Sequence, residues 1–344
     1  KGSKIGLTEG PHMYKRDGFY YLITAEGGTE YDHAVTLARS EELLGPYEVH
    51  PQNPILTSNG DENLVLQKAG HASLVETSKG EWYMAHLCSR PIPGTRRCNL
   101  GRETALQKVE WREDGWLYLQ TQGNFPQQKV AQPDLPAHSW PDLPSRLPFD
   151  SPHYASPRIK GSLIVLEDQK LILKGGESLE SNFEQALYGR RLTSQRMEAT
   201  TKMTFKPESF QQMAGLVLYY NTFLFHYLFL SSDEKKGLCL QIHSCDDGKS
   251  VFPLGSSLVK VGQSDLYLRA TLIDSGVQFS WSEDNAIYNN IGPELDASIL
   301  SDDYGSRWGF TGTFIALSCQ DLTGKQCRAK FDYLDFKTTI SENE

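Results

Sequence analysis

Tight-turn dipeptides punctuate this sequence at short intervals and leave little room for anything but antiparallel strands. Asp17-Gly18, Lys79-Gly80, Asp114-Gly115 and Asp274-Ser275-Gly276 each separate runs in which apolar and polar residues alternate. Such turns tolerate the positive φ that tight hairpins require, and a period of two buries one face of each strand. Residues 19–23 follow the first turn, residues 33–38 form a further strand, and residues 71–76 and 82–87 flank the second turn. Residues 104–111 and 116–120 flank the third. This spacing suits the blades of a propeller or the sheets of a sandwich, and periodicity alone does not choose between them. From about residue 160 the alternation is cleaner: Met197, Ala199, Met203 and Phe205 share one face, and residues 266–273 pair with 277–281. Residues 216–230 are continuously apolar and aromatic, as the centre of a sheet would be, and this half is expected to be a β-sandwich. In residues 177–191, Leu179, Phe183 and Leu187 fall at helical spacing, which admits a short helix or an irregular strand.

Two domains are expected from 344 residues. Residues 119–159 carry eight of the chain's 17 prolines, so the boundary is placed there. The first domain is 1–125, the connection 126–159 and the second domain 160–344. Phe125, Trp140, Phe149 and Tyr154 are interleaved with the prolines, so the connection should run extended along the surface, pinned by aromatic contacts. A net charge of -9 argues against nucleic acid or an anionic membrane as partner and favours a neutral or polyol ligand. No apolar run approaches the ~20 residues of a membrane helix, so a soluble protein is expected. Six cysteines form three near pairs, Cys88/Cys98, Cys239/Cys245 and Cys319/Cys327. They read as local disulfides in a secreted protein or as free thiols. Free thiols are favoured because the chain is large enough to need no staples and has no glycosylation sequon, which makes cytoplasmic location the preferred expectation and secretion the alternative.

The chemistry-bearing residues are carboxylates, histidines and aromatics on a β-framework. No metalloprotease, serine-hydrolase, Walker, dinucleotide or EF-hand motif is present. In Thr8-Glu9-Gly10-Pro11-His12, alternation from Ile5 and Leu7 puts Glu9 on the buried face at a strand end, where its pKa would rise and where Gly10 lets the backbone approach a ligand. Pro11 is expected to end the ladder. His71 follows Gly70 and opens a strand, and no second ligand lies at metal spacing from it. Arg102 lies beside Gly101, either paired with Glu103 or offering its fork to sugar hydroxyls or a carboxylate. Thr29 closes the Gly-rich turn Ala25-Glu26-Gly27-Gly28-Thr29. Phe310 and Phe314, near Gly309 and Gly312, read as core or loop aromatics, and the glycines suit a loop that presents a ring to a neighbouring domain.

With Thr8–His12, the 22–29 turn, Gly70-His71-Ala72-Ser73 and residues 98–104 in place, the sequence resembles the β-xylosidases of glycoside hydrolase family 43 across its whole length. The resemblance implies an all-β chain: the later blades of a five-bladed β-propeller followed by a concanavalin-like, jelly-roll β-sandwich. It implies inverting exo-hydrolysis of β-1,4-xylo-oligosaccharides to xylose, with side activity on α-L-arabinofuranosides. Glu9 matches the family's general acid, and His71 a histidine beneath the sugar that in some relatives helps hold calcium through water. Arg102 matches a residue at the non-reducing-end subsite and Thr29 one on the pocket wall, while Phe314 or Phe310 would close the pocket from the sandwich. No cofactor is required, with calcium the one candidate. The family's general-base Asp and its pKa-tuning Asp precede the Thr-Glu-Gly-Pro-His motif, so both are expected on an N-terminal part of the enzyme carried as a separate chain, without which this chain would be inactive. A homo-oligomer is expected from the resemblance alone. The alternatives are a non-catalytic carbohydrate-binding protein with a lectin-like sandwich, or an arabinofuranosidase of the same family.

Overall fold

The computed structural model describes residues 4–157, 161–307 and 309–338. Among them there is no α-helix, and one 3-10 turn spans Ala297–Ile299. The chain divides into two compact units, residues 1–91 with 102–140 and residues 92–101 with 141–344.

The first unit contains β1 (Thr8–Arg16), β2 (Phe19–Glu26), β3 (Ala34–Ser40), β4 (Glu48–Val49), β5 (Leu56–Thr57), β6 (Gln67–Glu76), β7 (Trp82–Ser89), β8 (Glu103–Trp111) and β9 (Leu117–Leu119). They form two antiparallel sheets, β1-β2-β3-β4 with β5 added on β3, and β6-β7-β8-β9. Each is a four-stranded meander, the form of a propeller blade. Asp17 (φ 47) and Gly18 (φ 87) are both left-handed between Arg16 and Phe19, the backbone of a type I′ hairpin. The facing sides of the two blades bury Tyr21, Ile23, Leu37, Leu56, Met84 and Leu117 in one core. Removing that apolar surface from water, at roughly 25 cal/mol per Å², holds the blades together.

In β1 the alternation differs from that expected. Leu7 takes a left-handed φ of 54 and is 71% exposed, so the strand begins only at Thr8 and the periodicity running from Ile5 does not reach Glu9. Pro11 does not end the strand either. A bulge between Glu9 and His12 absorbs it, and pairing with β2 resumes at His12–Ile23. Thr8 and Glu9 are both exposed, and from Gly10 onward even-numbered residues of β1 are half-buried and odd-numbered ones exposed.

The second unit contains β10 (Tyr154–Ala155), β11 (Ile164–Glu167), β12 (Lys170–Lys174), β13 (Ala186–Arg191), β14 (Arg196–Phe205), β15 (Gln212–Asn221), β16 (Leu224–Asp233), β17 (Gly237–Asp246), β18 (Lys249–Val251), β19 (Val259–Lys260), β20 (Asp265–Ile273), β21 (Gly276–Ser282), β22 (Asn289–Asp296), β23 (Phe314–Asp321) and β24 (Arg328–Thr338). Two sheets, β10-β13-β23-β15-β16-β17-β18 with β19 on β17, and β11-β12-β24-β14-β20-β21-β22, enclose one apolar core. This is the expected sandwich. The 216–230 run is two strands, because the chain reverses at Thr222-Phe223, where the Asn221 side chain accepts the Phe223 N–H at 2.8 Å. Its unbroken apolarity follows from burial on both faces, since Val217, Tyr219, Phe225 and Tyr227 form a second cluster on the outer side of the eight-stranded sheet. The 177–191 stretch is a turn followed by β13, not a helix. In the proline-rich stretch Phe149 and Tyr154 are buried, and Tyr154 stacks on Tyr188 at 5.3 Å. Trp140, also expected as an anchor, is 82% exposed and meets the His138 ring edge-on at 4.8 Å.

Candidate active site

The first unit brings Glu9 and His71 together through a glycine. Gly10 has φ 55, and a Cβ built on it would lie 2.5 Å from His71 Nε2. The imidazole therefore rests on the bare backbone next to Glu9. His71 itself is left-handed (φ 51) and sits between two register shifts of β6, at Gln67–Gly70 and Gly70–Ala72. A β-branched or bulky residue at such a φ would be strained, and local irregularity of this kind re-aims a side chain out of a ladder. Two further contacts run from β1 to β6 along the same face. His12 Nδ1 lies 3.3 Å from Ser73 Oγ, and the Leu74 N–H donates to Tyr14 Oη at 2.8 Å.

Behind His71 stands His33, which the sequence reading treats only as the start of a strand. Its ring packs on Gly70, where a Cβ would approach within 2.4 Å. Its Nδ1 lies 3.1 Å from the Lys68 carbonyl. A carbonyl only accepts, so Nδ1 carries the proton and the buried Nε2 presents a lone pair. Burial pushes the His33 pKa down to about 4; the Lys68 bond offsets this in part, and electrostatic influence from His71, Arg102 and His86 lowers it further. The same interaction places Arg102 in the neighbourhood of His33. A small residue directly before His71, in an otherwise ordinary strand, was the available signal for this close approach.

Arg102 is half-buried. Its sequence neighbour Glu103, one of the partners the sequence offers Arg102, is gripped in two-pronged fashion by Arg90, at 2.8–3.2 Å. Thr29 is half-buried in the turn after β2, the end of the hairpin where Glu9 pairs with Ala25 and where the Gly27 N–H donates to the Gly6 carbonyl. Glu9 is exposed to solvent, contrary to the burial expected for it. Among the described residues no three His, Cys, Asp or Glu side chains converge as a metal's ligands would. Among these residues direct coordination of calcium therefore has no ligand set.

Phe310 and Phe314 belong to the second unit. Asp302 accepts the Gly309 and Phe310 N–H groups at 2.7 and 3.1 Å, and Phe310, with φ 49, is 53% exposed. Phe314 opens β23, half-buried, with the Arg191 guanidinium 5.5 Å above its ring. Residues 92–101 are sewn into this loop region. The Thr313 N–H donates to the Asn99 carbonyl at 2.9 Å, the Cys98 N–H to Asp303 at 3.0 Å, and Arg97 reaches Ser298 at 2.8 Å. Gly101 and Gly312 make the crossing: a Cβ on either would lie 2.1–2.2 Å from the opposing backbone.

Comparison with known proteins agrees with this architecture. Residues 1–117 match the model of glycosyl hydrolases family 43, and residues 151–337 that of the β-xylosidase C-terminal concanavalin A-like domain. A xylan 1,3-β-xylosidase from Vibrio is 40% identical over 98% of this chain and 66% of its own length. A non-reducing-end α-L-arabinofuranosidase from Bacteroides ovatus is 30% identical, over 96% of this chain and 62% of its own. The crystal structure of a xylan β-1,4-xylosidase from Bacillus halodurans superposes with a TM-score of 0.94 at 46% identity, covering 98% of this chain and 66% of that one. The chain thus spans about 66% of the length of these xylosidases. With blade-like sheets, a concanavalin-like sandwich and the Thr-Glu-Gly-Pro-His motif matched together, this chain belongs to glycoside hydrolase family 43.

Proposed function

We propose that this chain supplies the general acid of an inverting, exo-acting β-1,4-xylosidase that releases xylose from xylo-oligosaccharides. The observation that carries the proposal is the placement of Glu9. It is a solvent-accessible carboxyl at the bulged end of a strand, beside a histidine that its neighbouring glycine admits to contact. In its protonated form Glu9 gives its proton to the glycosidic oxygen as the C1–O bond breaks. A water deprotonated by a general base attacks C1 from the opposite face, so the configuration inverts and one water is consumed. His71 lies under the sugar, Arg102 holds hydroxyls at the non-reducing end and Thr29 walls the pocket. The general base is placed on a part of the enzyme N-terminal to this chain, in keeping with relatives of which the chain spans 66%. The partner required is then that part, and hydrolysis awaits it. The similarity to an arabinofuranosidase supports a second activity on α-L-arabinofuranosides in the same pocket.

The test is Glu9→Gln in the assembled enzyme. Hydrolysis of xylobiose should fall ~10²–10⁴-fold, and hydrolysis of an aryl xyloside with an activated leaving group, which needs no proton, should fall far less. Full activity on xylobiose overturns the assignment. Intact mass spectrometry and gel filtration of the purified protein test for a second polypeptide and for a homo-oligomer; a lone chain that binds sugar but hydrolyses nothing favours the binding-protein alternative.

A further inference from the structure

Within the second unit, the outer face of the eight-stranded sheet holds a cavity of about 440 Å³, within the ~300–1,000 Å³ of small-ligand sites. Its floor is Leu187, Gly189, Tyr219 and Ala316. The floor is one side chain short at Gly189, where a Cβ would come within 2.4 Å of the Ala316 Cβ. The rings of Phe223 and Phe314 and the amides of Asn182 and Asn221 stand around it. Arg307 lies on the Phe223 ring, 3.9 Å from its centroid. Among the lining residues described there is no Asp or Glu and the one formal charge is the Arg307 guanidinium, with Asp247 near it outside the lining.

Each element of this lining narrows the ligand. Flat rings accept the apolar faces of pyranoses, and carboxamides donate and accept at once, as hydroxyl groups do. A single guanidinium is too little for a polyphosphate but matches one carboxylate, which it can grip with two parallel bonds. The absence of carboxylates from the lining removes both a cation site and the repulsion an acidic ligand would otherwise meet. We propose that this cavity is a second saccharide site, formed by the sandwich alone, for a short oligosaccharide that carries a uronic acid. The site holds substrate chains by a decorated sugar. Its chemistry stands independently of hydrolysis, and only the choice of xylan-derived probes rests on the function proposed above.

The experiment is calorimetric titration of the full chain with xylotriose and with xylotriose bearing one glucuronic acid. Both should bind, the acidic one more tightly. Phe223→Ala should weaken both by about threefold to tenfold. Arg307→Ala, an exposed position whose replacement leaves the fold intact, should remove about tenfold from the acidic ligand and leave the neutral one unchanged. Absence of binding to the unaltered chain, or unchanged binding in Phe223→Ala and Arg307→Ala, overturns the site. Equal affinity for the two sugars overturns the carboxylate assignment. Xylobiose hydrolysis, measured separately, reports on Glu9 and moves with none of these outcomes.

Discussion

Replacing His33 by Asn should flatten the acid sensitivity of the first unit by an amount that the structure fixes. The His33 ring is fully buried, packs on Gly70 and donates from Nδ1 to the Lys68 carbonyl. Its native pKa is about 4, against 6.5 when unfolded. Between those values the unfolded chain binds a proton that the native chain refuses. The stability contributed by neutral His33 is therefore complete above about pH 6.5 and is lost as the pH falls toward 4. From pH 8 to pH 5 the unfolded imidazole gains its proton over roughly 1.5 pH units, each worth about 1.4 kcal/mol, so the loss is about 2 kcal/mol. An Asn Nδ2 reaches the same carbonyl and does not titrate. The variant should be less stable at pH 8, because atoms are deleted from a packed site, but it should lose about 2 kcal/mol less than the parent on going to pH 5. Urea unfolding at the two pH values, followed by the fluorescence of Trp82, Trp111 and Trp116, measures the difference. His50, whose pKa burial also pushes down to about 4, is present in both proteins and cancels. Parallel stability curves would show that His33 is already charged in the native state, and the lone pair assigned to Nε2 would then be wrong.

Gly10→Ala tests the approach of His71 to the Glu9 strand. A left-handed Ala costs about 1–2 kcal/mol, a modest loss in thermal unfolding, and the exposed His71 ring can swing away at little further cost. Displacing a sugar-contacting group by ~1 Å nevertheless costs up to ~10²-fold in rate, so kcat/KM for xylobiose in the assembled enzyme should fall much further than stability. Unchanged kinetics would show that the His71 position is immaterial. For the thiols, all six cysteines are free, five are buried and Cys327 is partly exposed, with the Cys319 Sγ 3.9 Å away. Burial raises the Cys319 thiol well above its usual range, and the neighbouring Cys327 adds to this. Brief alkylation of the native chain at pH 8 should label one cysteine and unfolding should release the rest, counted by intact mass; several labels without denaturant would contradict the burial.

The hairpin turns make most of the fold legible in the sequence. Asp17-Gly18 and Asp114-Gly115 stand where their backbone conformation is required, and the alternation of residues 196–205 corresponds to β14 residue for residue. Less legible were places where one residue breaks a period. The left-handed turn at Leu7 is carried by a residue that normally avoids that conformation, and it moves Glu9 from the expected inner face to solvent. The 216–230 reversal at Thr222-Phe223 contains neither Gly nor Pro and is hidden in an apolar run because both sheet faces are covered. At the site, Glu9, His71 and Arg102 stood out by residue type beside a glycine. His33 did not, since its position behind Gly70 depends on the pairing of strands far apart in sequence.

The seam formed by residues 92–101 has a consequence for how the sandwich can be made. Its bonds to Asp296, Ser298 and Asp303 join positions 199 to 205 apart. A gene fragment starting at residue 141 would encode every strand of the sandwich and still omit the backing of the loop that displays Phe310. During synthesis the early segment must wait, unpaired, for the last quarter of the sandwich to emerge. Swapping C-terminal modules between related enzymes should accordingly succeed only when this ten-residue graft travels with them, which makes the seam, and not the proline-rich stretch, the natural unit of exchange.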